Sequence, residues 1–245
     1  MFSWLVQKAQ ASEPYVDPLQ LRASNGIEWE DDPPYRKPDA ERAHFRPREG
    51  IPMLTELGPD ELGTVVTYLE MTERPKLRPL PESPLQLVRW REVDPAKYRL
   101  LFQRVGGPWL WYSRLLMDDA TLLAQVAEVH AVVDRAGIEV GILELDFRQP
   151  PDCLIRFLGL VPELAGQGYG KWLFGQLLSL AWRKGVERVH VNTCTLDHPA
   201  ALPSYLRAGF RAYRRAFERF PDPRATGVLS ADSAPQIPFV GPRPG

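Results

Sequence analysis

The chain has 245 residues, 44% of them hydrophobic, and its 30 basic and 31 acidic side chains leave a formal charge of −1. That length allows one large or two small domains with a sizeable core, and the balanced charge leaves no footprint for nucleic acid. Two cysteines are too few for a secreted disulfide framework, no run reaches the length of a membrane span, and MFSWLVQKAQ lacks the basic start of a leader, so the chain reads as cytoplasmic.

Residues 1–52 are poor core material. Pro14, Pro18, Pro33, Pro34, Pro38, Pro47 and Pro52 deny the backbone regular hydrogen bonding. Glu28 to Asp32 is an acidic block, and Arg36 to Arg48 is basic and nearly free of aliphatics. Such composition predicts a disordered N-terminal extension; a docking arm that orders on a partner is the other reading. Met53 offers an internal start.

The segment TVVTYLEM, ending at Met71, is rich in β-branched residues and predicts a strand. Pro75, Pro79, Pro81 and Pro84 form a stiff connector before a second strand from Leu85. Asp94-Pro95 signals a helix start, with Tyr98, Leu101, Phe102 and Val105 along one face. Gly106-Gly107-Pro108 ends that helix. The cluster Trp109-Leu110-Trp111-Tyr112 follows, then a further helix around Asp119 to Val126. The rings either fill core or wall a site for an apolar or cationic amine.

Residues 126–134 and 138–147 alternate as two strands around a turn from Asp134 to Gly137. Val140, Ile142, Glu144 and Asp146 share one face of the second strand. The two carboxylates can hold or deprotonate an amine, or lie at a solvated strand end. Phe157 to Val161 reads as a buried strand stopped by Pro162. Gly166, Gly168 and Gly170 then lead into a helix marked by Leu173, Leu177, Leu180 and Ala181, with Phe174, Leu178 and Trp182 on an adjoining stripe.

Strand, glycine loop and helix N-terminus in that order suit a phosphate-bearing ligand. A P-loop fails here, since Ala165 stands at its first glycine and Trp172 at its hydroxyl. A dinucleotide loop fails because Lys171 occupies its third glycine. Residues 186–195 alternate as a strand, Leu196 to Ala201 leads into a short helical piece ending in Tyr205-Leu206-Arg207-Ala208-Gly209-Phe210, and 211–220 form a last, arginine-rich strand. His130, His190 and His198 have no ligand spacing, so no metal is expected.

The loop Ala165-Gly166-Gln167-Gly168-Tyr169-Gly170 resembles the acyl-CoA loop R/Q-x-x-G-x-G/A of the GCN5-related N-acetyltransferases (GNAT), departing at Ala165. Ala201, Tyr205, Gly209 and Phe210 are similar to that superfamily's closing segment N-x-x-A-x-x-x-Y-x-x-x-G-F, with His198 at the Asn position. The stretch also looks like a bacterial subgroup carrying a TCTLDHPxAL segment, and the resemblance spans roughly residues 85–220.

The resemblance implies an α/β fold of the GNAT type: a single domain with a mixed, mostly antiparallel sheet, helices on both faces, and strands splayed where coenzyme A enters. The domain would run over 53–222, followed by an irregular C-terminal tail, 223–245. It implies acetyl-CoA as cosubstrate and no metal. Pantetheine would pair with backbone of Leu160 and Val161, an N–H near Val161 would meet the oxyanion, and pyrophosphate would meet Gln167, Gly168, Tyr169, Gly170 and Lys171. Tyr205 would be the general acid. The family's early strand Glu is replaced by Leu154, which leaves Glu144, Asp146 and His198 as substitute bases; His198 can equally cap the last short helix, a post for which its neighbour Asp197 is better suited.

The implied function is direct acetyl transfer in a ternary complex to a small-molecule or peptide amine. No nucleic-acid or membrane partner is expected, and a homodimer is an open assembly. Two alternatives stand beside it: an acyl-CoA-binding module that has lost catalysis, and a protein lysine or N-terminal acetyltransferase.

Overall fold

The computed structural model describes residues 56–77 and 79–241; the expected N-terminal extension, 1–52, lies outside them. The elements in chain order are β1 (Glu61–Met71), β2 (Gln86–Arg89), α1 (Pro95–Gly106), α2 (Asp119–Gln125), β3 (Glu128–Val133), β4 (Glu139–Asp146), β5 (Asp152–Leu160), α3 (Tyr169–Ala181), β6 (Arg188–Cys194), α4 (Ala201–Ala208) and β7 (Arg211–Pro221).

Local chemistry explains most of these boundaries. Asp94 caps α1 by accepting from the Lys97 N–H at 2.9 Å, with Pro95 in the first turn. Its buried stripe is Tyr98, Leu101, Phe102 and Val105. Gly106 ends the helix under the Trp111 side chain, where an added Cβ would come within 2.4 Å of the indole. Asp118 caps α2 through the Thr121 N–H at 2.7 Å. Between β3 and β4, the Asp134 side chain accepts from the N–H groups of Ala136 and Ile138 at 2.8 and 2.9 Å, and closes the hairpin.

One seven-stranded sheet carries the fold, in the order β2-β3-β4-β5-β6-β1-β7. Every pairing is antiparallel except β5 with β6. The mixed, mostly antiparallel sheet is the one expected, but the place of β1 is new. It lies between β6 and β7, so the first and last strands of the domain are neighbours, and Val66 and Leu69 at its centre are wholly buried.

Cores lie on both faces. On one, α1 and the aromatic loop pack Tyr98, Phe102, Trp111 and Phe157 together with Phe220. On the other, Leu177 and Ala181 of α3 and Tyr205 of α4 meet Val189, Val191 and Phe210. The strand read as Phe157 to Val161 begins five residues earlier, at Asp152. The register with β4 shifts between Glu144 and Leu145, which partner Phe157 and Ile155 and leave Arg156 as the extra residue of a bulge. Cys153 and Ile155 therefore face α3, whereas Phe157 faces α1. That switch breaks the alternation and hides the strand's first half.

After β7, residues 222–241 carry no helix or strand. Arg224 organises them. Buried at 1% exposure, it donates to both Asp222 oxygens and to the carbonyls of Ser233 and Ile237. Leu229 and Ala234 join the core on the α1 face. Among the described residues no helix is long and apolar enough to cross a membrane.

Candidate active site

The parallel contact of β5 with β6 lasts three residues, ending at Leu154 opposite His190. Beyond it the strands part. Val161 donates its N–H to the Val140 carbonyl at 2.9 Å, one step past the Leu160–Gly141 pair. Hydrogen-bonded and non-bonded pairs alternate along an antiparallel ladder. Leu158 and Leu160 therefore turn their N–H and C=O groups away from β4, toward the side that β6 has left. This corrects one expectation: the Val161 N–H is spent inside the sheet, and Leu160 carries the open backbone groups.

A 3-10 turn over Pro162–Leu164 leads from β5 into the glycine loop. Gly166 and Gly168 adopt φ of 76° and 83°, which side chains other than glycine rarely adopt. Gly168 is the N-cap of α3, and no side chain caps that helix. The Lys171 N–H is donated to the Gly168 carbonyl at 3.1 Å, so its expected part in holding pyrophosphate falls to the side chain, and the N–H groups ahead of it are left to an anion. A Cβ added at Gly166, Gly168 or Gly170 would meet nothing within 4 Å, so the cradle is open. Gln167 turns back and donates to the Glu163 carbonyl at 2.8 Å, which braces the loop from within. Tyr169 is half-buried and Lys171 is exposed. The loop has the room and the donors for a diphosphate.

Tyr205 sits on α4 at 6% exposure, its ring edge-on to Phe174 and Phe210 at 5.1 and 5.4 Å. Burial, with the nearby charge of Asp197, holds its phenol well above the usual value of 10. Asp197 was expected as a helix cap, but instead it is a hub. It accepts from the Thr193 hydroxyl at 2.7 Å, the Cys194 N–H at 2.9 Å and the Trp111 indole N–H at 3.2 Å. The end of β6 is thereby tied to the aromatic loop on one face and faces Tyr205 on the other.

The three substitute bases prove to be spoken for. Glu144 is wholly buried and accepts from the Tyr98 hydroxyl at 2.6 Å, Arg114 at 3.0 Å and the Ala127 N–H at 3.1 Å. Asp146 is also buried, not at a solvated strand end, and is clasped by Arg148 and Arg156. Burial raises its carboxyl, but the two arginines outweigh that and hold it far below the usual range. His198 is exposed, with its ring against Trp109 at 4.8 Å. Its Nδ1 accepts from the Ala200 N–H at 3.0 Å, so the lone pair of a neutral ring is engaged and Nε2 carries the proton.

Sequence reasoning missed Arg114, which gave no signal beyond being one basic residue after an aromatic run. It also missed Glu218 on β7, which is 8% exposed and has no hydrogen-bond partner at either oxygen. Burial pushes its carboxyl up to about 7. Burial, and then the Glu218 charge, push the Tyr112 phenol up to about 12. No group of His, Cys, Asp and Glu that could hold a metal ion occurs among the described residues.

Comparison with known proteins follows this geometry. The family described as "Acetyltransferase (GNAT) family" matches residues 68–210. Among solved structures, a GCN5-related N-acetyltransferase from Sphaerobacter thermophilus is similar, at 18% identity and a TM-score of 0.47 over 64% of this chain and 51% of that one. A putative GNAT-family acetyltransferase from Novosphingobium aromaticivorans is 15% identical, with a TM-score of 0.47 over 66% of this chain and 67% of its own. The tandem GNAT protein of the clavulanic acid biosynthesis pathway is 19% identical, with a TM-score of 0.44 over 65% and 53%. The chain thus spans about half the length of the first of these. No curated protein matches it. The family match covers more than half of the 245 residues, and with it the parting of β5 from β6, the open glycine loop and the buried tyrosine; this chain belongs to the GNAT family of acetyltransferases.

Proposed function

We propose that the protein moves an acetyl group from acetyl-CoA directly to an amine within a ternary complex. The observation that carries this reading is the unpaired β5 edge at Leu158 and Leu160, followed in the chain by the uncapped N-terminus of α3, with the Tyr205 ring packed on Phe174 of the same helix. Acetyl-CoA supplies the activated acyl group. Leu158 and Leu160 offer backbone groups to its amide-bearing arm, as a neighbouring strand would. The N–H groups from Gln167 to Gly170 receive the diphosphate, and the exposed Lys171 side chain adds charge.

Tyr205 keeps its proton at neutral pH and gives it to the departing thiolate. Direct transfer is favoured over an acyl-cysteine route by the thiols themselves. Burial pushes Cys153 up to about 12 and Cys194 to about 11, so neither is an available thiolate. Both cysteines are free, which supports the reducing cytoplasm as the place of action. With Glu144, Asp146 and His198 engaged, the acceptor enters as the free amine or loses its proton to solvent. The rate should then rise with pH up to the pKa of the amine.

The same engaged bases favour a second reading, a binding module that keeps the acyl-CoA site without turnover. A panel of small amines and lysine peptides, followed by free thiol release and product mass, separates the two. Amine-dependent CoA release with an acetylated product is the expected result. Tight CoA binding by calorimetry with no turnover of any amine would establish the module instead.

A further inference from the structure

His190 is the titratable side chain at the point where β5 and β6 part. Their parallel pairing ends with Leu154 opposite His190, so His190 stands on the last rung below the gap. Its β6 neighbours Val189 and Val191 pack with α3 and α4. Strand alternation turns His190 to the other face, where Cys194, four residues on, packs against the α1-side core. Tyr205 belongs to the α4 side. The phenol and the imidazole therefore lie on opposite faces of the sheet.

The ring is reachable and its lone pair is not spent. The side chain is 24% exposed, and Nε2 stands 3.8 Å from Asp152 Oδ2, beyond hydrogen-bond reach. Among the described residues neither ring nitrogen has a hydrogen-bond partner. His198, by contrast, accepts from the Ala200 N–H. The charged groups around His190 are Arg188 on its own strand, Asp152 and Arg156 on β5, Asp146 on β4 and, across the β1 pairing, Glu70. Burial, and then Arg188, outweigh Asp152 and lower the imidazole from 6.5 to about 4. At neutral pH the ring is uncharged and one nitrogen can accept a proton. An acyl-bearing arm that starts at the glycine loop and runs back along the β5 edge, past Leu160 and Leu158, ends toward this rung.

We propose that His190 receives the proton that the acceptor nitrogen sheds as it bonds to the acetyl carbon. The proposal rests on the transferase reading, and it supplies the proton acceptor that Glu144, Asp146 and His198 do not. The amine enters uncharged, approaches from the α1 side, and becomes acidic as its C–N bond forms. Its proton passes to the imidazole, the C–S bond breaks, and the sulfur takes the Tyr205 proton. His190 then gives a proton to solvent, and the Tyr205 phenolate recovers one. A ring this weakly basic leaves an ammonium protonated, so it accepts only from a nitrogen already bonding to carbon.

Hydroxylamine, an uncharged nucleophile small enough for any acceptor site, is the probe, with CoA release counted above the uncatalysed rate. In the full-length chain, His190→Gln should lower kcat roughly a hundredfold or more, while acetyl-CoA affinity by calorimetry and melting temperature hold. In His190→Ala, added imidazole should restore part of the lost rate. The ring itself gives a readout without turnover. Its nitrogen NMR resonances, identified by their loss in His190→Gln, should report an uncharged ring at neutral pH and should move when acetyl-CoA saturates the protein. Full kcat in His190→Gln with chemistry rate-limiting, or ring resonances that acetyl-CoA leaves unmoved, overturns the proposal. A natural protein that turns over neither hydroxylamine nor any amine of the panel overturns the transferase reading, and the proposal with it.

Discussion

Glu144 and Glu218 stand on the same face of the sheet, in opposite arms, beneath one stretch of chain. Tyr112 lies over Glu218, and two residues later Arg114 lies on Glu144. One end of that stretch is locked: Glu144 takes three hydrogen bonds, and the Arg114 guanidinium also lies 5.3 Å from the Phe157 ring centroid. At the other end both Glu218 oxygens lack a hydrogen-bond partner. Satisfied burial fixes the loop against β4, whereas unsatisfied burial leaves the Glu218 carboxyl raised. The same residue type in the same environment by exposure thus serves two ends, and hydrogen-bond accounting separates them.

The largest expected effect tests whether the chemistry lies apart from both acids. Tyr205→Phe keeps the ring and its contacts with Phe174 and Phe210, so folding and acetyl-CoA binding should persist. Removing a positioned acid should lower kcat by roughly 10²–10⁴. A variant of nearly full kcat, with chemistry shown to limit the rate, would hand the proton donation to solvent.

Next in size is the locked end. Arg114→Ala leaves Glu144 buried without its cation, which should cost about 3–5 kcal/mol in chemical denaturation. A loss below about 1 kcal/mol would mean that Tyr98 and Ala127 suffice, and that the contrast between the acids is overstated.

The unpaired end should show itself through pH. The ordinary carboxyl value of 4.5 is raised to about 7 at Glu218 by burial. A raised acid favours the folded state at low pH, because that state holds the proton longer. Its stabilising effect is complete below 4.5, declines as pH rises, and is gone above about 7. The advantage of Glu218→Gln in unfolding free energy, read by chemical denaturation, should therefore be negligible near pH 4.5 and should grow to its full value above pH 7. By the size of the shift, that value is on the order of 3 kcal/mol. A pH-independent gap would sink the assignment of an ionising, unpaired group.

The smallest effect calibrates the rest. Asp94→Ala removes one helix cap, a turn before the Tyr98 that donates to Glu144, and should cost about 1 kcal/mol with unchanged turnover. A much larger loss would show that α1 is poised more finely over Glu144 than its cap alone explains.

What the sequence determined by itself is what nearest neighbours along the chain enforce. Asp94-Pro95 starts α1, Gly106-Gly107-Pro108 stops it, Asp134 turns the hairpin, and the alternate glycines open the N-terminus of α3. Each works through bonds spanning a few residues, so each is legible in a short window. The tertiary structure decided whatever depends on partners far away in the chain. β1 sits between β6 and β7 because Val66 faces both Cys194 and Ala216, more than a hundred residues on, and nothing local encodes that choice. The bulge at Arg156 and the parting of β5 from β6 likewise arise only once three strands meet. The two glutamates are the sharpest case. Both are acids on strands, and only assembly brought arginine, tyrosine and a backbone N–H to Glu144 while leaving both oxygens of Glu218 without a hydrogen-bond partner. A carboxylate's role in a low-dielectric interior depends on what donates to it, and that is a property of the assembled neighbourhood.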